Sequence, residues 1–148
     1  MRFSTAATAA IAAMLIPAGA LAATSSLSYD QTYDTKSTSL SVVACSDGTN
    51  GLLTAGYTTF GSLPKFPYIG GAQAIAGWNS ASCGSCWNLT YTNTKKVSKS
   101  ISVLAIDHTD NGFNIALEAM NALTGGIAEE LGRISVTSKE IAASHCGL

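Results

Sequence analysis

The chain has 148 residues, with eight Lys and Arg against nine Asp and Glu, and charged residues make up 11% of it. This length predicts one domain with one hydrophobic core. The formal net charge of −1 argues against nucleic acid as a partner, because phosphate binding requires clustered positive charge. A surface rich in Ser, Thr, Gly and Asn suits neutral partners such as polysaccharides, which bind through hydrogen bonds.

Residues 1–22 have the pattern of a secretory signal peptide. A basic start precedes the apolar run AATAAIAAMLI (6–16), and a small-x-small cleavage pattern follows at 20–22. The apolar run is shorter than the roughly 20 residues that span a bilayer. We therefore predict cleavage close to Ala22, export to the extracellular space, no membrane span, and a mature domain over residues 23–148.

Short β-like runs separated by turn residues predict most of the fold. Alternating or β-branched residues mark five candidate strands: SLSY (26–29), LSVVAC (40–45), WNLTYT (87–92), SISVLAID (100–107) and GRISVTS (132–138). In the third run, Trp87, Leu89 and Tyr91 fall on one face. In the fourth run, residues 103–106 are apolar enough to be buried on both faces.

The polar segment TNTKKVSKS (92–100) lies between the third and fourth candidate strands. It predicts a solvated hairpin loop. Three lysines cluster in it, Lys95, Lys96 and Lys99, and contact with an anionic surface is the alternative interpretation.

One α-helix is well marked in the sequence. Asn114 is a candidate N-cap, Gly125-Gly126 is a candidate end, and apolar residues recur between them at helical spacing, namely Ile115, Ala119, Met120 and Leu123. A weaker helical turn covers residues 127–131. Several short strands with one or two short helices predict a mainly β fold, a small β-barrel with the helices packed outside.

Four cysteines, Cys45, Cys83, Cys86 and Cys146, predict two disulfides in an exported domain. The CGSC motif precedes a strand rather than opening a helix, which argues against a redox dithiol. A zinc site with His145 nearby is a further alternative. Four cysteines allow three pairings, and the residues alone do not choose between them.

Several longer blocks follow one another in a specific order. They are SYDQTYD (28–34), CSDGTNGL (45–52), FPYIGG (66–71), AGWNSASCGSCWNLTY (76–91), VLAIDHTDNGFNI (103–115), AMNALTGG (119–126), LGRI (131–134) and HCGL (145–148). In these blocks, which span nearly the whole predicted mature chain, the protein resembles the cerato-platanin family of small secreted fungal proteins.

The resemblance implies a six-stranded double-psi β-barrel with two disulfides, Cys45–Cys83 and Cys86–Cys146. It implies an extracellular, cell-wall-associated protein that binds chitin or related polysaccharide oligomers in a shallow groove. It further implies elicitation of plant or host defences, with a plant or host receptor as a second partner. Self-assembly at interfaces and expansin-like wall loosening without hydrolysis are also family properties. No cofactor and no metal is expected.

Asp107 is the first candidate for a catalytic carboxylate, because it ends the most hydrophobic strand before a polar loop. Glycoside hydrolysis needs two carboxyl groups roughly 5–10 Å apart. In expansins and related glycosidases an H-F-D motif supplies the second, and here Gly112-Phe113-Asn114 takes its place. Asn114 cannot ionise, so we expect a non-enzymatic binding protein. The alternative role of Asp107 is to accept backbone N–H bonds in the following turn.

Two other function classes stay open at this stage. One is a glycoside hydrolase or wall-active enzyme that uses Asp107. In that enzyme His108 could act as a base, or Asp110 or Asp47 could supply the second carboxylate. The other is a self-assembling, surface-active coat protein.

Sugar binding needs flat aromatic faces beside hydrogen-bonding groups. Trp87, Tyr91 and Phe113 are expected in the core. Aromatic residues in Gly-rich loops, Tyr68 and Trp78, are better candidates for stacking, with a place in the core as the alternative. The predicted carbohydrate site consists of Tyr68, Trp78, Asn79, Asp107 and Asn114. Separately, Asn88-Leu89-Thr90 is an N-glycosylation sequon, with an unmodified strand amide as the alternative.

Overall fold

The computed structural model describes residues 21–148. The predicted signal peptide lies outside these residues, apart from its last two positions. Two short α-helices, α1 (Leu117–Thr124) and α2 (Ala128–Leu131), accompany six strands. The strands are β1 (Ala23–Tyr29), β2 (Ile69–Ala72), β3 (Cys86–Thr92), β4 (Ser98–His108), β5 (Phe113–Ile115) and β6 (Arg133–Ile141).

The six strands close into a barrel in the order β1-β5-β2-β4-β3-β6. The pairing is parallel between β1 and β5 and between β2 and β4, and antiparallel elsewhere. Because β1 pairs with β6, the first and last strands are neighbours. The prediction of a mainly β, six-stranded double-psi barrel with short helices and two disulfides is confirmed.

Apolar side chains fill the barrel. Trp87 on β3 and Phe113 on β5 have ring centroids 5.4 Å apart. Because these strands are not neighbours in the sheet, the two rings meet inside the barrel, as expected for core aromatics. Residues 103–106 of β4 are buried, as the sequence predicts. Burying each large apolar side chain contributes about 1.5–3 kcal/mol to stability.

The predicted strand at residues 40–45 is wrong. Leu40–Val42 is a short 3-10 helix, and the Ser39 side chain caps it by accepting the Ser41 N–H at 3.1 Å. Leu40 and Cys45 are fully buried because this segment packs against the C-terminal part of β4, where Cys45 N–H donates to the Ile106 carbonyl at 3.1 Å. Residues 40–45 are therefore apolar because they are buried against the barrel, and not because they form a strand. We call residues 30–47 the cover segment.

The N-cap predicted for α1 is also wrong. Asn114 belongs to β5, and Ala116 at the N-cap position has no capping side chain. The Asp34 carboxylate caps the helix instead, accepting the N–H groups of Leu117 at 2.8 Å and Glu118 at 3.0 Å. This cap comes from the cover segment, so no local pattern around the helix reveals it. The weaker helical turn at 127–131 is present as α2.

Two disulfides join segments that are far apart in the sequence. Cys45–Cys83 joins the cover segment to the CGSC turn, and Cys86–Cys146 joins the start of β3 to the C-terminal 3-10 helix. These are the pairs that the resemblance implies. All four sulfurs are used, which leaves no thiolate for a redox centre or a zinc site.

No helix within residues 21–148 has both the length and the apolar character that crossing a membrane requires.

Candidate functional site

The Asp107 carboxylate, next to last in β4, lies under the cover segment. It accepts three hydrogen bonds, from the Tyr33 hydroxyl at 2.9 Å, the Ala44 N–H at 3.0 Å and the His108 N–H at 2.9 Å. Burial and the adjacent Asp107 charge raise the pKa of Tyr33 far above its usual value, so this hydroxyl stays a donor. The geometry gives Asp107 a structural task, which is to fasten the cover segment to the barrel.

Asp107 and Asn114 lie in one row of the barrel. Gly71 of β2 is the register partner of Asp107 on β4 and of Asn114 on β5. The Asn114 side-chain oxygen accepts the Ser28 hydroxyl at 3.0 Å. The structure thus brings the two predicted residues together across a glycine. The group facing Asp107 along this row is an amide, which cannot serve as a general acid or base.

Trp78 presents an aromatic face to solvent. Its side chain is 63% exposed, and its indole N–H donates to the Asp47 carboxylate at 2.6 Å. This bond fixes the ring against the loop that ends the cover segment. An exposed ring held in one orientation is suited to stacking on a flat ligand.

Asn79 joins two loops. Its side-chain oxygen accepts the Asn50 N–H at 2.9 Å, and its carbonyl accepts the Asn50 side-chain amide at 3.1 Å. Its φ of 57° lies in the left-handed region, which Asn tolerates better than most residues. The Asn79 amide therefore holds the Trp78 loop in place. Asn79 thus affects the surface around the indole mainly by fixing the position of the loop that carries Trp78.

Trp78 and Asp107 lie at the same end of the barrel. Asp107 binds Ala44, Trp78 binds Asp47, and these two cover-segment residues are three positions apart. Three residues span at most roughly 11 Å. The His108 ring also reaches the Trp78 loop, since Nδ1 lies 2.5 Å from the Ile75 carbonyl. We call this surface the Trp78 face; it consists of Asp47, Asn50, Trp78, Asn79 and His108.

A cleft of about 340 Å³ adjoins the Trp78 face. Asn50 belongs to both, and the cleft continues along the Cys45–Cys83 disulfide to the C-terminal residue. Its lining offers hydroxyl, amide and apolar groups: Thr49, Asn50, Leu52, Thr54, Cys83 and Leu148. Asn50 lies in no sequence pattern that predicts a binding role. The Cys45–Cys83 pairing could have indicated it, because that bond draws the loop after Cys45 towards the loop before Cys83.

Tyr68, the remaining predicted site residue, lies in a separate cleft. Its ring sits 5.8 Å from the Lys65 ammonium, and with Ser100 and Ser102 of β4 the two residues line a space of about 250 Å³. No hydrogen bond or ring contact found within residues 21–148 joins the Tyr68 side chain to Trp78 or Asp107. The predicted site is therefore divided between two places.

Asn88 lies in the middle of β3, half-buried, between Ser102 of β4 and Lys139 of β6. Its neighbour Trp87 points into the barrel, so the alternation of the strand turns Asn88 outward. Glycosylation at this position stays a prediction. Within residues 21–148, no group of three or more His, Cys, Asp or Glu is placed to hold a metal ion.

Known proteins match both the sequence and the fold. The cerato-platanin family model matches residues 25–148. The heat-stable 19 kDa antigen of Coccidioides immitis (strain RS) is 51% identical over 140 residues, which cover 93% of this chain and 92% of that protein. The crystal structure of cerato-platanin 1 from M. perniciosa matches with a TM-score of 0.80 at 49% identity, covering 82% of this chain and 98% of the other.

The solution structure of the fungal elicitor cerato-platanin matches with a TM-score of 0.72 at 40% identity, covering 82% of this chain and 95% of the other. These sequence identities extend over almost the whole length of each matching protein, and the barrel topology and the two disulfides are consistent with them. The chain therefore belongs to the cerato-platanin family.

Proposed function

We propose that the protein is an exported, non-enzymatic carbohydrate-binding protein of the cell wall and extracellular space. Its ligands are neutral oligomers of the chitin type, built from N-acetylglucosamine, and they bind at the Trp78 face. The observation that carries this proposal is the exposed indole of Trp78, fixed by its hydrogen bond to Asp47.

The chemistry of the Trp78 face supports a sugar ligand. The C–H face of a pyranose ring stacks on an aromatic ring, and an indole that is already oriented loses little conformational entropy on binding. Amide and hydroxyl groups of Asn50 and Thr49 continue from the indole along the adjoining cleft. These groups suit the hydroxyl and acetamido groups of an uncharged oligomer.

The environment of Asp107 supports a role without catalysis. Its carboxylate already accepts three internal hydrogen bonds, and Asn114 stands in the same row. Hydrolysis of a glycosidic bond needs a proton donor and a second carboxylate on opposite sides of that bond. Expansin-like loosening of wall polymers, which needs binding but no bond cleavage, is compatible with the same face.

The relatives support elicitation as the biological outcome. One is named as a heat-stable antigen and another as a fungal elicitor. We extend this role to the present chain, with a plant or host receptor as the second partner.

NMR titration with N-acetylglucosamine oligomers tests the binding proposal. We expect shifts of the Trp78 indole N–H and of the Asn50 amides, and affinity weakened about tenfold or more, or by about 1.4 kcal/mol, in Trp78→Ala. Tyr68→Ala is the matched aromatic control and should bind normally. Loss of binding in Tyr68→Ala with normal binding in Trp78→Ala would move the site to the other cleft.

Product analysis on the same oligomers tests the absence of catalysis. We expect intact oligomers after prolonged incubation. Shorter sugars that no longer appear with Asp107→Asn would establish the hydrolase alternative. An absence of shifts, together with film formation at an air–water interface, would favour the surface-active coat protein.

A further inference from the structure

The end of the barrel opposite the Trp78 face carries a second surface. Strand β4 begins at Ser98, beside the β3–β4 turn, and ends at His108, beside the Trp78 face. Ten residue steps along a strand separate the two ends by roughly 30 Å. We call the second surface the hairpin face, and it consists of Tyr91, Lys95, Lys96, Val97, Lys99, Ile127 and Leu131.

Aliphatic side chains are exposed together on the hairpin face. Val97 is 54% exposed, Ile127 41% and Leu131 37%. They line two adjoining clefts that share Tyr91 and Thr124, one of about 70 Å³ and one of about 270 Å³. Grouped apolar side chains on a soluble domain mark a surface that contacts a partner.

Three lysines lie beside these aliphatic side chains, in or next to the β3–β4 turn. Lys95, Lys96 and Lys99 are all exposed, and none of them forms an ion pair within residues 21–148. The nearby acidic residues are Glu129 and Glu130 of α2. Both are exposed, and Glu130 is one helical turn from Ile127, so these two carboxylates border the face on the α2 side. The three lysines therefore border the apolar centre on the hairpin side, and they outnumber the two glutamates.

The turn that carries the lysines is firmly held. The Asn93 side-chain oxygen accepts the N–H groups of Lys95 at 2.9 Å and Val97 at 3.0 Å. Lys96 has a φ of 61°, in the left-handed region that glycine adopts most easily. Val97 and the lysine stems are thus presented from a fixed backbone, which lowers the entropy lost when a partner binds.

We propose that the hairpin face docks on a lipid surface with anionic headgroups. Val97, Ile127 and Leu131 enter the boundary between headgroups and acyl chains, and the lysine ammonium groups stay at the phosphate level. Tyr91, the aromatic residue of this face, is half-buried, and the exposed apolar side chains are aliphatic and offer no flat ring for sugar stacking, which argues against a polysaccharide at this end.

Flotation of the disulfide-intact protein with vesicles tests the proposal. We expect binding to phosphatidylcholine vesicles that contain phosphatidylserine, weaker binding to phosphatidylcholine alone, and loss of binding as salt is raised. Removing one lysine of the face should weaken binding about fivefold. Lys96→Gly removes the charge and gives the left-handed position to glycine, so its Tm should equal or exceed that of the parent. Lys139→Gln, on β6, removes an exposed lysine elsewhere and should bind normally.

Val97→Ser and Ile127→Ser separate a lipid from other anionic partners. We expect both to weaken vesicle binding while the Tm changes little, because the two side chains are exposed. Lysine-dependent binding to polygalacturonate that is indifferent to Val97→Ser would assign the face to an acidic polysaccharide and overturn the proposal. Absence of flotation at low salt would overturn it as well.

Discussion

The imidazole of His108 faces hydrogen-bond acceptors on both sides. Nδ1 lies 2.5 Å from the Ile75 carbonyl, and Nε2 lies 2.9 Å from the Asp110 carboxylate. Both partners only accept, so both ring nitrogens must carry hydrogen for the two bonds to form. The bond to the Ile75 carbonyl, followed by the bond to Asp110, raises the pKa of His108 above its ordinary 6.5, and the charge of nearby Asp107 adds to the rise.

The raised pKa of His108 predicts a pH dependence. The folded state favours the protonated ring, so the stabilisation is complete below the unfolded-state pKa of about 6.5 and is lost as pH rises through the folded-state value. NMR titration of the His108 ring should give a midpoint above 6.5, and Asp110→Asn should lower it. A midpoint at or below 6.5 in the parent protein would contradict the arrangement of both bonds.

For Asp107, the position in the fold was predictable from the sequence, but its hydrogen-bond partners were not. Its position at the end of a buried strand before a polar loop was predictable, because the apolar run of β4 stops there. Two of its three donors, Tyr33 and Ala44, come from a segment more than sixty positions away. Local pattern reasoning has no access to such partners, so the choice between catalytic and structural roles needed the fold.

The strands β3 and β6 were predictable because each is long and alternates along one face, and β4 because its continuous apolar run is buried on both faces. Strands β2 and β5 have only four and three residues, and β2 contains two glycines, a residue that is depleted in strands. Gly70 is required in β2 because a Cβ there would fall against the Asn114 carbonyl. The tertiary fold therefore overrides the strand propensity of this segment.

Gly112 is predicted to be indispensable to the junction of β1 and β5. Its φ is 61°, and a Cβ at this position would collide with the Ser26 backbone. Gly112→Ala should cost about 1–2 kcal/mol for the left-handed conformation and a further 1–3 kcal/mol or so for displacing the backbone. Gly125→Ala is the matched control, because its φ is 73° and nothing lies within 4 Å. Equal losses in urea denaturation would refute the collision.

The cap supplied by Asp34 gives a prediction for α1. Asp34→Ala should destabilise the protein by about 1 kcal/mol, because two N–H groups of the first turn lose their acceptor. Asp34→Asn retains one acceptor oxygen and should lose less. Urea denaturation measures the loss, and hydrogen exchange of the Leu117 and Glu118 amides locates it. Unchanged exchange of these amides in Asp34→Ala would show that the helix has another cap.

For the whole molecule, the two disulfides are predicted to dominate resistance to unfolding. They close loops of 38 and 60 residues, and the loop-closure model gives up to about 4 kcal/mol for each. Because this term grows only with the logarithm of loop length, replacing either pair by alanines should cost similar amounts, about 4 kcal/mol at most. Thermal denaturation of the two variants measures this.

Native-state thiol chemistry checks the same assignment. Cys86 and Cys146 are buried, whereas Cys83 is partly exposed. Mass spectrometry should find no reactive thiol before reductant is added, and Cys45–Cys83 should be reduced first. A thiol that reacts in the native protein would contradict the pairing.

The overall barrel was predictable from the family blocks, whereas the layout of the candidate site was only partly so. The Gly-rich loop around Trp78 favoured the surface but left the core open as an alternative, and the structure exposes the indole. The separation of Tyr68 from Trp78 was not predictable, because both residues occupy similar loops in the sequence. Only the closed arrangement of strands decides which loops share an end of the barrel.

Closure between β1 and β6 also determines when the barrel can form. Six residue pairs, from Ala23 with Ser138 to Ser28 with Arg133, join the earliest strand to the latest. During synthesis β1 emerges first, and both of its partners come much later in the chain, β5 at Phe113–Ile115 and β6 at Arg133–Ile141. A nascent chain in this condition stays unfolded, which the proposed export through a translocation channel requires. Closure of the barrel needs the complete chain, so a prematurely terminated product without β6 would keep two unpaired strand edges and aggregate.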